Sequence, residues 1–437
     1  KIDGLKLFFS STSIDLFQPN LNKIRLSNLD KKMLAGDNGE ATKIAMEVLC
    51  LMAAAQNADE LIDVSRGHID GCILAHDANL HFAEKMLHMG ASVIIPTTIN
   101  AISVDRENWQ SQGVVPDLGI KASRLADAYV KMGAHPTFTC APYLLAESPR
   151  KGEVIGWSES NAVIYANSVI GARTSKHPDY LDLFIAMTGR TPNTGVYLEK
   201  NRQPVCEIQV TLPTSFDDAI WPMVGWLAGH KSPNGIPLLS GLEDISINND
   251  GLKALCAAFG TTSAAPMIHI KGHTPEDELQ NIKCANSTSI MPIDLLNLWQ
   301  NFNTGSNKID LVAIGSPHAS TTESLKFLEL LKDKNEVVNV PTILTVGRET
   351  LAKLEEQGHL NQLTKLGVQV VPDICWCSIT EPIFPSKTQT LVTNSGKYAH
   401  YGKGLTGRNV RFGSLENCAS ASINGYVDDD FPQWLTA

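Results

Sequence analysis

Three cysteines from far-apart segments, Cys140, Cys375 and Cys418, each sit beside short runs of small and polar residues. Thiolates gathered from such remote places can hold iron, or an iron-sulfur cluster with one iron left open. An open iron is a Lewis acid that pulls on a substrate hydroxyl, which is what dehydration needs. Their spacing excludes a zinc ribbon or a ferredoxin run, both of which take ligands from neighbouring cysteines. Taken singly, any of the nine cysteines is better read as a small apolar core residue.

Cys140 belongs to the stretch richest in polar chemistry, Thr137 to Thr174, TFTCAPYLLAESPRKGEVIGWSESNAVIYANSVIGART. Phe138 and Thr139 suit the end of a strand, so Cys140 is expected at the carboxyl edge of an open α/β sheet, where such sheets present ligands. Pro142 prevents the strand from continuing. Ser158 or Ser160 can cap a helix whose apolar positions Ala162, Val163, Ala166, Val169 and Ile170 repeat at helical spacing and stop at Gly171. The other face carries Asn161, Tyr165 and Ser168 at i, i+4 and i+7. Arg173 follows as an anchor for a carboxylate or phosphate. A buried polar network tying two elements together would use the same stripe.

The elements that must position these groups read as repeated βα units. Ser27 and Asp30 have capping-box spacing, and Ala41, Ile44, Ala45, Val48 and Met52 mark an amphipathic helix. Leu61, Ile62 and Val64 form a short strand, after which His68, Asp70 and Cys72 crowd together. Ala91 to Ile95 is a second strand, ending in Pro96, Thr97, Thr98 and Asn100, and a third ends at Cys140. Three polar strand ends at this spacing are expected to converge on one cleft. A lone histidine after a strand is more often structural, but coincident polar edges favour a site. Residues 307–373 form the cleanest βαβαβ unit, with Ser316 and His318 after its first strand and Asp373 and Cys375 after its third. The first turn lacks the glycines of a phosphate loop. Cys375 and Cys377, one residue apart in an extended segment, point to opposite sides, so one of them at most faces a shared site. Asn394, Ser395 and Lys397 precede an aromatic pair. His269 and His273 have zinc-pair spacing, but Gly272 and Pro275 argue against the helix that pair requires.

Length and composition bound the rest. The 437 residues suffice for two or three domains with proper cores. Residues 1–22 read as an N-terminal extension or linker remnant, 23–300 as an α/β catalytic region, and 301–437 as a second α/β region. A net charge of -10 with no basic cluster excludes a nucleic-acid partner. Apolar runs stay short of membrane-spanning length. An odd, scattered set of cysteines fits reduced thiols in the cytoplasm better than a disulfide framework.

The chain resembles the aconitase X family, catalytic or large component, over about residues 25–425. The resemblance rests on HIDG at 68–71, PTTIN at 96–100, TCAPYLL at 139–145, ESNAVIYANSVIGART at 159–174, TGRTP at 188–192, TNSGKYAHY at 393–401 and the FGSLENC stretch. It implies a hydro-lyase with an aconitase-like multidomain α/β/α architecture, mostly parallel sheets, and a mononuclear iron, 2Fe-2S or 4Fe-4S centre. Gly71, Cys72 and Ile73 stand where the archaeal phosphomevalonate dehydratases tend to have Gly-Val-Ser, and Asn100-Ala101 where they have Asn-Pro. These departures look more like the cis-3-hydroxy-L-proline dehydratases. A phosphomevalonate dehydratase large subunit and a non-catalytic cluster-binding homologue are the alternatives.

The resemblance sets out the expected site. Cys140, Cys375 and Cys418 are the metal ligands; Ser316 stands where a cysteine is common, so it or water could also serve as the third ligand. The carboxylate of a small hydroxy acid is held by Arg173 or Lys397 with Asn161 and Ser168, beside Gly71, Cys72, Ile73, Asn100 and Ala101. His68, Asp70, Ser395 and Lys397 are the catalytic candidates, with His68 and Asp70 orienting the ring nitrogen or relaying a proton. Aconitase-like enzymes take a catalytic serine from a small swivelling domain, which is expected as a separate subunit or as a fused part of a longer chain.

Overall fold

The computed structural model describes residues 23–276, 286–334, 336–428 and 430–436. The expected extension at residues 1–22 lies outside them. Strands β1 (Leu61–Asp63), β2 (Gly67–Ile69), β3 (Thr97–Ile99), β4 (Gly156–Trp157) and β5 (Arg190–Pro192) are all short. β3, β2 and β4 form a parallel sheet in that order, and β1 pairs antiparallel with β5. Next come β6 (Cys206–Val210), β7 (Pro237–Ser240), β8 (His269–Ile270) and β9 (Asn286–Ile290), parallel in the order β8-β7-β6-β9. The last sheet has β10 (Leu311–Ala319), β11 (Thr342–Val346), β12 (Val368–Pro372), β13 (Thr390–Thr393) and β14 (Asn409–Phe412), parallel in the order β12-β11-β10-β13-β14. Helices cover these sheets, so the expected α/β architecture with mostly parallel sheets is present.

The βαβαβ unit forms as read, because long β-branched runs such as Thr342–Val346 are buried at every position between helices. Its first strand runs further than expected, through Ser316 and His318 to Ala319, with a register break after Ile314. Gly315, at φ 101, allows that break: a Cβ there would stand 2.2 Å from the Thr345 carbonyl oxygen.

The first sheet departs more from expectation. The apolar run Ala91–Ile95 is irregular, and the strand is the polar Thr97–Ile99 that follows. The run is instead fixed by single bonds, Val93 N–H to Met132 O at 2.8 Å and Ile94 N–H to Ala186 O at 2.9 Å. The segment ending at Cys140 keeps a strand's place, with Thr139 N–H donating to Ile99 O, but Phe138 at φ 43 breaks the ladder. The helix after β4 is α-helical over Ser160–Tyr165 and widens to a π-turn over Ala166–Ile170 before Gly171, at φ 79. Glu159 is its first cap, and neither Ser158 nor Ser160 caps it.

One core is shared between the two ends of the chain. Val104, Val114 and Ala122 pack with Leu311, Ile343, Val371 and Trp376, and Ile102 bridges Ile374. This seam brings the β2 and β3 ends against the 374–379 turn.

Candidate active site

Six segments deliver polar side chains to one buried place. β2 ends at His68 and Asp70, β3 at Asn100 and Ala101, and the irregular strand at Cys140. β4 leads to Glu159, the 374–379 turn carries Cys375 and Cys377, and helix Gly396–Thr406 begins beside Lys397. This is the convergence of strand ends that open parallel sheets produce.

The thiol group is Cys140, Cys375 and Cys377, packed against Ala101. The third thiol at this place is Cys377, and the expected Cys418 lies elsewhere, for a local reason. The segment is a tight turn, in which Ser378 N–H and Ile379 N–H both donate to the Cys375 carbonyl at 2.8 and 3.0 Å. Alternation therefore does not hold, and Trp376 is the residue that leaves for the core, its Nε1–H donating to Ile314 O at 2.8 Å. Cys418 is fully buried in helix Leu415–Asn424, within a separate apolar core between helices and β10. The contact with Cys140, together with burial, pushes the Cys375 thiol up despite the opposing contact with Cys377, which is itself pushed up by Cys375 and by burial. The His318 backbone N–H donates to Cys140 Sγ at 3.3 Å.

Lys397 and Glu159 form a buried ion pair beside the thiols, with Nζ to Oε1 at 2.7 Å. Burial works to discharge Lys397, but Glu159 and the three thiols outweigh it and hold its pKa well above the ordinary value. Burial likewise opposes the charge on Glu159, and Lys397 and the Asn161 amide outweigh it, so both partners are ionised. Asn161 is fixed in turn: Nδ2 donates to Cys140 O at 3.2 Å and Oδ1 accepts from Tyr143 Oη–H at 2.9 Å. A cavity of about 150 Å³ opens here, lined by Glu159, Asn161, Lys397 and Tyr401.

Asp70 is the opposite case. Burial and the charges of Glu159 and Asp182 push its carboxyl well above the usual range, against a hydrogen bond from the Asn100 amide. Its surroundings therefore favour the protonated carboxyl. His68 is pushed down to about 4 by burial and is a neutral imidazole, its Nδ1 2.7 Å from Thr98 Oγ1 and its ring 6.0 Å from that of Trp157.

Other expected site residues have structural partners. The Ser168 hydroxyl accepts from Ile268 N–H at 2.9 Å, because the π-turn rotates it off the Asn161 face. Tyr165 stacks on Tyr143 with centroids 4.1 Å apart. Arg173 donates to Tyr197 O at 2.9 Å and pairs with Glu199, so its guanidinium is engaged away from the thiols. Ser395 caps its helix, accepting from Tyr398 N–H at 3.0 Å and donating to the Ser316 carbonyl. Cys72 donates to Ile69 O at 3.2 Å inside the first core, and Gly71 O accepts from Tyr129 Oη–H at 3.1 Å. Ile73 is half-buried in the following turn. Glu159 and Cys377 were not among the candidates. The signal for Glu159 was its place as the single acid in the Trp-Ser-Glu-Ser-Asn cluster.

Among the described residues, no group of three or more His, Cys, Asp and Glu side chains is placed so that it could hold a metal ion. The donors at the thiol group nonetheless have the chemistry of an iron site. Three soft sulfurs lie together beside the Lys397 ammonium, and the buried Ser316 hydroxyl, close in sequence to His318, has no partner among the described residues.

Family models for the first, second and third domains of aconitase X match residues 23–200, 204–299 and 309–424. A cis-3-hydroxy-L-proline dehydratase of Pseudomonas aeruginosa is 44% identical over 94% of this chain and 72% of its own length. The phosphomevalonate dehydratase large subunit of Methanocaldococcus jannaschii is 32% identical over 90% of this chain and 98% of its own. The crystal structure of aconitase X from Thermococcus kodakaraensis, in its holo form, superposes with a TM-score of 0.83 at 29% identity, covering 91% of this chain and all of that one. On all three grounds, the chain belongs to the aconitase X family.

Proposed function

We propose that this hydro-lyase removes water from cis-3-hydroxy-L-proline to give Δ1-pyrroline-2-carboxylate. The observation that carries the reading is the buried Lys397–Glu159 pair, which opens on a small cavity and whose ammonium lies near three thiols. Lys397 is the one cation lining that cavity among the described residues, which suits a substrate with a single carboxylate. Phosphomevalonate carries a phosphate as well and would need a second anchor. The higher identity to the hydroxyproline enzyme supports the same choice.

Lys397 would hold the substrate carboxylate, and Glu159 would keep its ammonium aimed into the cavity. Asp70, protonated, would give its proton to the departing hydroxyl; Asn100 orients that carboxyl. His68, neutral, would stand toward the ring nitrogen. Cys140, Cys375 and Cys377 would hold iron, whose Lewis acidity would weaken the carbon–oxygen bond. Loss of the Cα proton and the Cβ hydroxyl leaves an enamine that tautomerises to the imine product. The base for the Cα proton is proposed to come from a swivel domain. The Pseudomonas aeruginosa relative extends beyond the matched part, whereas the Methanocaldococcus jannaschii protein is by name a large subunit.

The test is anaerobic purification together with the swivel partner, iron and sulfide quantification, and assay of both cis-3-hydroxy-L-proline and phosphomevalonate. Iron with loss of the hydroxyproline is expected. Turnover of phosphomevalonate alone would overturn the substrate, and turnover in an iron-free protein would overturn the metal.

A further inference from the structure

We propose that Arg348 is the positioning residue that fixes Cys140 relative to Cys375 and Cys377, by holding two strained backbone positions at once. The inference rests on the reading of these thiols as one donor set.

Among the described residues four non-glycine positions have positive φ, and two of them precede the thiols in the same way. Phe138, at φ 43, stands two residues before Cys140, and Asp373, at φ 70, stands two residues before Cys375. Phe138 is a bulky residue that rarely adopts this region, so its surroundings impose the conformation, and Asp373, of a type that tolerates the region better, is held there by the bonds to its carboxylate. Arg348 is the residue whose side chain bonds to the one and lies nearest over the ring of the other. Its Nε and Nη2 donate to the two carboxylate oxygens of Asp373 at 2.6 and 2.8 Å, and its guanidinium carbon lies 4.7 Å from the centroid of the Phe138 ring. A single planar cation therefore grips one strained residue by a bidentate bond and covers the other by its face.

The neighbouring contacts run the same way. Arg106 N–H donates to Asp373 Oδ2 at 3.1 Å, and the Arg106 guanidinium carbon lies 5.7 Å from the same ring. Ile102 N–H donates to Asp373 O at 2.7 Å. Gly347, next to Arg348, lets the chain come close to the cysteine segment: a Cβ there would be 3.1 Å from Thr139 Oγ1. None of these groups touches the cavity at Lys397. Their common effect is to aim two remote cysteine segments at one another. Without Arg348, Asp373 is a buried carboxylate lacking its side-chain cation and Phe138 loses the nearer of the two cations over its ring, so both backbones relax and the sulfurs separate.

The test compares crystal structures of the full-length metal-free protein with those of Arg348→Ala and Arg348→Lys, and follows Co²⁺ titration by its thiolate charge-transfer band. In Arg348→Ala the distance from Cys140 Sγ to Cys375 Sγ should grow by more than about 0.5 Å, the tolerance of a preorganised site. Its Co²⁺ affinity should fall about 10- to 100-fold with a weaker thiolate band. Lysine keeps the charge but lacks the fork and the flat face, so Arg348→Lys should shift the sulfurs in the same direction, and it decides the question if the alanine variant does not fold. Sulfurs in place with unchanged Co²⁺ binding in the variants would overturn the proposal while leaving the iron reading intact. Displaced sulfurs in a protein whose parent binds no metal would uphold the positioning role and overturn the iron reading.

Discussion

Two buried lysines, Lys397 and Lys253, look alike in burial and differ in what surrounds them. Lys253, in helix Asn249–Thr262, meets Glu323, Asp250 at 3.3 Å and the His318 carbonyl at 3.4 Å. Its ammonium has three acceptors for three protons, and its two carboxylates leave the group net negative. Lys397, at the edge of a cavity, meets one carboxylate, Glu159, and has the three cysteines as its other neighbours. One cation is locked into a joint between helices, and the other is held by a single partner with donors left over. A saturated buried ion pair builds structure, while an unsaturated one beside a cavity keeps donors that an anion could take, as proposed for the substrate carboxylate.

Breaking the unsaturated pair should have the largest effect. Lys397→Met is expected to lower kcat/KM by about a hundred- to a thousandfold, the scale of one lost charge-stabilising donor. The double variant Lys397→Met with Glu159→Gln should be as inactive but recover most of the lost thermal stability, because no lone charge is left buried. A Lys397→Met enzyme with unchanged kcat/KM would erase the distinction between the lysines. Lys253→Met should do the reverse. Two carboxylates lose their cation, and unfolding free energy should drop by about 3 to 5 kcal/mol in urea titrations, with the activity of the folded fraction kept within a few-fold.

The thiols extend the contrast to the metal. Cys377→Ser should lose most of the iron found by chemical analysis, whereas Cys418→Ser, in a dry apolar core, should keep it and lose about 1 to 2 kcal/mol of stability from the buried hydroxyl. Iron lost from the second variant and kept in the first would restore Cys418 as the third ligand.

What could be read in advance follows from where the chain has length to express a pattern. The last sheet is legible because strands such as Thr342–Val346, buried at every position, and Val368–Pro372 are long enough to carry β-branched runs between amphipathic helices. The first sheet has strands of two or three residues, too short for periodicity, and its most apolar run, Ala91–Ile95, is not a strand. Cys140, Cys375, Lys397, Asp70 and Asn161 were found through residue type and resemblance, and they meet. Alternation along an extended segment turns Cys377 away from Cys375, and the turn that forms there does not obey it. Ser168 was placed on the wrong face because a π-turn widens the helix beneath it, a change that leaves no mark in an apolar pattern. Arg173 has the chemistry of an anchor, but Glu199 and the Tyr197 carbonyl reach it first.

A buried acid with no cation marks the limit of the comparison. Asp182 is fully buried, accepts from Asp70 N–H at 2.6 Å and Leu183 N–H at 2.7 Å, and is pushed by burial to about 6 from 3.8. Its folded-state pKa lies above the unfolded one, so between those values the folded protein holds the extra proton. Stability from this group is therefore present at the acid end and is lost as pH rises through about 6. Asp182→Asn cannot titrate, so its stability relative to the parent should rise by about 1 to 3 kcal/mol between acid and neutral pH. Equal pH dependence of parent and variant in urea titrations would mean that the Asp70 and Leu183 N–H bonds already carry the charge. The same variant removes a charge that raises the Asp70 pKa. If Asp70 is the proton donor, its acid form is then lost at lower pH, and the alkaline limb of kcat/KM should move down relative to the parent. An unmoved limb would assign proton donation to another group and leave Lys397 and Glu159 as the part of the site that the ion-pair comparison explains.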